Sequence, residues 1–164
     1  MENKDLNFDS RVPLEELKNT VSQIKEELSQ VIVGQQNFMD LLIVSLLVDG
    51  HALIEGVPGI AKTITAKLFA KTLKTGFSRI QFTPDLMPSD ILGTSVFNVQ
   101  NSAFEFKKGP IFSNIILIDE INRAPAKTQA ALFETMEERQ ATVDGTTYKM
   151  AEPFMVLATQ NPIE

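Results

Sequence analysis

The sequence contains no cysteine and a single histidine, His51. Disulfides and thiolate metal sites are excluded, and one imidazole cannot build a metal cluster. Long apolar runs are missing as well. The longest, Leu41 to Val48, is interrupted by Ser45 and falls far short of the roughly 20 residues that a membrane-crossing helix needs. The first residues, MENKDLNFDSR, lack the apolar core of a secretory signal. A cytoplasmic protein without a membrane partner is the expectation from these absences. A basic excess is missing too: the formal net charge is −6 and the Lys and Arg residues are scattered. Binding to nucleic-acid phosphates is therefore disfavoured, since it usually needs a basic stripe. The one loose cluster, Lys62, Lys67, Lys71 and Lys74, has the spacing of a helix face.

What is present is the composition of a folded globular chain, 43% apolar and 22% charged over 164 residues. A chain of that length buries roughly two-thirds of the surface its unfolded form would expose. After a polar leader, apolar Leu14, Leu17, Val21, Ile24 and Leu28 recur at helical spacing from about Pro13. A second helix is expected from about Gln35 to Val48; it is apolar on most sides, which predicts burial between other elements. The period then shortens. Strands are expected at His51–Glu55, Phe77–Phe82, Asn114–Asp119 and Phe154–Thr159, with helices at Thr63–Leu73 and from about Lys127 to Glu138. The run Ile115-Ile116-Leu117-Ile118 has the two-sided apolarity of a parallel strand. Two hairpins interrupt this order, Ser95–Val99 with Ala103–Phe106 and Gln140–Val143 with Thr147–Met150, the latter around Asp144-Gly145. Strands alternating with helices predict a doubly wound α/β fold.

The segment Gly56-Val57-Pro58-Gly59-Ile60-Ala61-Lys62-Thr63 follows the first strand and opens a helix. It matches a phosphate-binding loop in every fixed position except Ala61, where glycine is usual. Such a loop needs consecutive N–H groups at a helix amino terminus, a Lys for the β- and γ-phosphates and a hydroxyl for Mg²⁺; Lys62 and Thr63 supply the last two, and Ile64 continues the stretch. Ala61 weakens the match, because a Cβ can crowd the phosphates. The bland alternative is a Gly-Pro turn before an amphipathic helix. Further along, Asp119-Glu120 ends the most apolar strand, at the edge where parallel sheets bind ligands. Asp119 would hold Mg²⁺ and Glu120 would polarise the attacking water; alternatively the pair is a solvated acidic turn. The fourth strand runs into Asn161, either a contact to the γ-phosphate or water, or a turn residue before Pro162.

The strings VIVGQ (31–35), GVPGIAKT (56–63), QFTPDLMPSDILG (81–93), LIDEINRAPAKTQAALFETMEERQATVDG (117–145) and ATQNP (158–162) resemble the MoxR family of AAA+ ATPases. MoxR proteins commonly carry alanine where Ala61 stands. The resemblance implies an α/β P-loop NTPase core, a parallel sheet with helices on both faces and strand order 5-1-4-3-2, with two small β-hairpin insertions. Lys62 and Thr63 would belong to Walker A, Asp119 and Glu120 to Walker B, with Asn161 as sensor 1 and the segment of Val33, Gly34 and Gln35 near adenine. It further implies ATP and Mg²⁺ as cofactors, and a ring, usually a hexamer, with nucleotide between subunits. Chaperone-like remodelling of protein clients would follow, with von Willebrand A-domain proteins as candidates. Arg123 could reach across a ring interface or merely cap a loop, and Gln81 could hold Glu120 inactive until a partner binds. Two rival readings are a nucleotide-gated binding module without turnover and a DNA-associated AAA+ ATPase. Residues 1–34 are expected as a leader and helix packing on the core, and 35–164 as an incomplete nucleotide-binding core. By the same resemblance a fifth strand, an arginine finger and a helical lid would lie beyond Glu164. The first strand would then stand at a bare sheet edge, and this chain by itself would turn over little or no ATP.

Overall fold

The computed structural model describes residues 13–55 and 62–160. Helix α1 (Leu14–Ser29) starts beside Pro13 and carries Glu15 and Glu16 in its first turn, where acidic groups suit the helix dipole. It is followed by α2 (Gln36–Leu47), β1 (Ala52–Glu55), α3 (Lys62–Thr72), β2 (Phe77–Gln81), a short α4 (Pro88–Leu92) and the strands β3 (Gly93–Asn98) and β4 (Ala103–Lys108). The chain continues with β5 (Ile115–Asp119), α5 (Ala126–Glu138), β6 (Gln140–Val143), β7 (Thr146–Lys149) and β8 (Met155–Gln160).

Strands β1, β8, β5 and β2 form one sheet in that order, with every neighbouring pair parallel. This is the expected order without a fifth strand. The central pair explains the sheet's position. Alternate residues of β5 and β8 feed opposite cores: Ile116, Ile118 and Val156 meet Phe82, Ile91, Ile111, Leu132 and Phe154 on one face. Ile115, Leu117, Met155 and Leu157 meet Leu28, Met39, Leu42, Ile43 and Phe69 on the other. Helices α1, α2 and α3 thus cover one face and α4 and α5 the other, as two-sided apolarity requires.

Two expectations need correction. Helix α2 is not enclosed: Met39, Leu42 and Ile43 are buried, but Leu41, Val44 and Leu47 are each more than half exposed. It is the outer layer of its face, so only one stripe finds a partner. Between β2 and the first hairpin lies α4, an element not anticipated from the sequence, started by Pro88 and by the Asp90 carboxylate accepting the Met87 N–H at 2.8 Å. The first hairpin also begins earlier, at Gly93. There φ is +99°, and a Cβ would stand 2.2 Å from the Lys107 carbonyl, so only glycine fits.

The two hairpins are joined to each other. Phe106 of β4 stacks on Tyr148 of β7 with ring centres 4.2 Å apart, and Phe112 closes on both edge-to-face. Among the described residues β1 is a sheet edge, with Leu53 55% exposed. An apolar groove of about 370 Å³ lies beside it, lined by Leu53, Ile121, Phe133 and Met136 among others.

Candidate nucleotide site

In a parallel sheet every strand delivers its last residue to the same edge. Here that edge receives Glu55 from β1, Gln81 from β2, Asp119 from β5 and Gln160 from β8. The predicted pair Asp119-Glu120 therefore stands at the carboxyl end of the buried central strand, partly buried above an apolar floor. Glu120 adopts left-handed backbone, φ 58° and ψ 54°, an uncommon conformation for a residue other than glycine. That turn separates the direction of its side chain from that of Asp119. The Glu120 N–H is satisfied by the Thr159 hydroxyl at 3.1 Å, and the same hydroxyl lies 3.4 Å from Asp119 Oδ1. Thr159 is 6% exposed, so β8 supplies a buried brace for the acidic turn.

Strand β2 supplies partners for both acids. Arg79 Nε stands 2.6 Å from Asp119 Oδ2, and Gln81 Nε2 donates to Glu120 Oε2 at 3.0 Å. Arg79 and Gln81 are two residues apart, hence on one face of the strand. Arg123, in the 3₁₀ turn after Glu120, also reaches Glu120 Oε2, with its Nε at 3.3 Å. The Gln81 bond to Glu120 follows the contact anticipated from the sequence. Arg79 and Thr159 were missed: each is one polar residue in an otherwise apolar strand, and the register that aims them is set by sheet pairing.

Lys62, Thr63 and Ile64 form the first turn of α3, the helix that follows β1, and Thr63 is half-buried. The loop residues Gly56, Val57, Pro58, Gly59, Ile60 and Ala61, and the predicted Asn161, lie outside the described residues. Val33 and Gly34 sit in the turn between α1 and α2, Val33 being 88% exposed and Gly34 in left-handed backbone. The same turn contains one buried polar atom with no hydrogen-bond partner among the described residues, Oε1 of Gln35.

Comparison with known proteins agrees with this architecture. The model of the ATPase family associated with various cellular activities (AAA) matches residues 51–164. The chain is 49% identical over 146 residues to chaperone MoxR1 of Mycobacterium tuberculosis, covering 89% of this chain and 39% of that protein. It is 48% identical over 150 residues to the uncharacterized protein YeaC of Bacillus subtilis, covering 92% of this chain and 47% of YeaC. The crystal structure of a candidate ATPase from Cytophaga hutchinsonii superposes with a TM-score of 0.83 at 50% identity, covering 92% of this chain and 46% of that one. The chain thus spans about half the length of the relatives it matches.

Proposed function

This chain belongs to the ATPase family associated with various cellular activities (AAA), and from that premise we propose that it binds Mg·ATP at the carboxyl edge of its parallel sheet and hydrolyses it to drive chaperone-like remodelling of protein partners. The observation that carries the reading is the Asp119-Glu120 pair at the carboxyl edge of the parallel sheet, the edge at which β1 also ends, with Lys62 and Thr63 in the first turn of the next helix in the chain.

The residues fit the two cofactors. A hydroxyl from Thr63 and a carboxylate from Asp119 are hard oxygen donors of the kind Mg²⁺ prefers. The orphaned Oε1 of Gln35 needs a donor, and the exocyclic amine of adenine is one. When bound, Mg²⁺ neutralises charge on the β- and γ-phosphates. Lys62 adds a cation to the same phosphates. The sequence of residues 56 to 61 suits a phosphate-binding loop, and Val33 and Gly34 would border the base. Glu120 orients the attacking water and accepts its proton, with Asn161 as a second polar contact to that water. To do so Glu120 must leave Gln81 and Arg123, both of which contact its Oε2.

That engagement also favours a second reading, a nucleotide-gated binding module that turns over slowly or not at all. Assembly into a ring, six subunits by family analogy, and clients containing von Willebrand A domains are further parts of the proposal. The chaperone role is drawn from the name of MoxR1.

The test is titration of a fluorescent ATP analogue with Mg²⁺ into the chain and its Lys62→Ala variant, with phosphate release followed in parallel. Binding that Lys62→Ala weakens at least tenfold, about 1.4 kcal/mol, is the expected result. Equal binding by both chains would refute the site. Binding without phosphate release selects the gated-module reading.

A further inference from the structure

We propose that Arg79 is the resident counter-ion of Asp119, a stand-in cation that the incoming divalent metal has to displace. The proposal rests on the reading that Asp119 holds Mg²⁺, and it adds a residue and a step that precede nucleotide chemistry.

The ion pair is short and asymmetric in exposure. Arg79 Nε approaches Asp119 Oδ2 to 2.6 Å, with the Asp119 side chain 15% exposed and that of Arg79 53% exposed. Across the strand pair Arg79 lies opposite Leu117, while Gln81 lies opposite Asp119. The guanidinium therefore reaches forward along the sheet, past its own register partner, to meet the carboxylate. Among the described residues the Thr159 hydroxyl approaches the second carboxylate oxygen to 3.4 Å. The Arg79 contact is the shorter of the two and the one that carries charge.

A carboxylate withdrawn from water needs a compensating charge, since its desolvation is otherwise uncompensated. Mg²⁺ supplies that charge when present; in its absence Arg79 supplies it. The two cannot share one carboxylate oxygen, because a guanidinium and a divalent ion at neighbouring positions repel. Exchange is easy in one direction only. Asp119 is fixed at the end of a buried strand, whereas the half-exposed Arg79 can swing into solvent at little cost, as exposed ion pairs are weak. An arginine suits the task because its charge persists at every accessible pH and its planar head is weakly hydrated. The metal position is therefore kept formed and neutralised between cycles, at the expense of metal affinity in the nucleotide-free chain.

Mn²⁺ binding to the nucleotide-free chain, followed by water-proton relaxation, measures this without any turnover. The expected result is that Arg79→Ala and Arg79→Gln bind Mn²⁺ roughly threefold to fivefold more tightly than the parent, the scale of a partly exposed ion pair. Asp119→Asn should lose that binding. A second readout is thermal melting, in which the deficit of Arg79→Gln relative to the parent should shrink when Mg²⁺ is added. Unchanged or weaker Mn²⁺ binding by both Arg79 variants, with Asp119→Asn still deficient and circular dichroism unaltered, overturns the counter-ion role and leaves the metal reading standing. Undiminished binding by Asp119→Asn overturns the metal reading itself, and the Arg79 proposal with it.

Discussion

The two ends of the same parallel sheet are held by different kinds of bond. At the carboxyl end, Asp119 and Glu120 are held chiefly by polar side chains of β2 and the following turn, Arg79, Gln81 and Arg123, each of them well exposed. At the amino end, side chains bond to backbone. Asn114 accepts the Gly76 N–H at 3.0 Å and donates to the Pro153 carbonyl at 3.0 Å. Arg139 donates to the Phe154 carbonyl at 2.5 Å and to the Asp49 carbonyl, and its guanidinium covers the Phe154 ring. The Val156 N–H donates to His51 Nδ1 at 3.0 Å. Backbone groups cannot leave, so these bonds define one arrangement. Side-chain pairs can exchange partners, which is what a site that admits a charged ligand requires.

The comparison breaks most visibly if the amino end is cut. Arg139→Ala removes two charged donors from backbone carbonyls near the start of β8 and the end of α2, together with the cation over Phe154. A loss of about 2–3 kcal/mol is expected, the scale of hydrogen bonds to a charged group. Urea unfolding monitored by circular dichroism measures it. A loss below about 0.5 kcal/mol would mean that the clamp is as exchangeable as the pairs at the other end.

A smaller effect is expected from pH. Burial lowers the His51 pKa below its ordinary 6.5, and the Arg139 cation lowers it further, while the Met136 carbonyl near Nε2 and the Asp49 carboxylate act in the opposite direction. The folded chain therefore refuses a proton that the unfolded chain accepts. Stability from this source is complete above pH 6.5 and is lost as pH falls through the lowered folded value. Parallel unfolding curves between pH 7.5 and 5.5 for the parent and His51→Ala should converge toward the acid end. A constant gap between them would remove His51 from the account.

These ends also differ in how far they could be read in the sequence. The central strand and its terminal acids were legible, because Ile115 to Ile118 are apolar without alternation and the carboxylates follow at once. The helices α1, α3 and α5 were legible from period alone. Helix α2 misled: apolarity on most sides says that a segment could be buried, not that enough neighbours exist to bury it. The short α4 depends on a local cap, and the aromatic contact between Phe106 and Tyr148 on three-dimensional approach of two hairpins. Thr159 and Arg79 acquire their roles only from sheet register, which joins residues far apart in the chain.

The smallest expected change in stability sharpens the contrast from the carboxyl end. Gln81 is exposed and its bond to Glu120 joins two side chains, so Gln81→Ala should alter unfolding by less than about 0.5 kcal/mol. Its effect should instead lie in chemistry. With Gln81 gone, the Glu120 carboxylate loses one of its side-chain partners, Arg123 remaining, and phosphate release per bound nucleotide should rise severalfold while nucleotide affinity stays level. Single-turnover measurement at saturating nucleotide isolates that step from binding. A fall in rate would make Gln81 a positioning residue that aims the carboxylate rather than one that withholds it. Either outcome would separate Gln81 from Arg139: one contact sets what the acid can do, the other whether the sheet holds together.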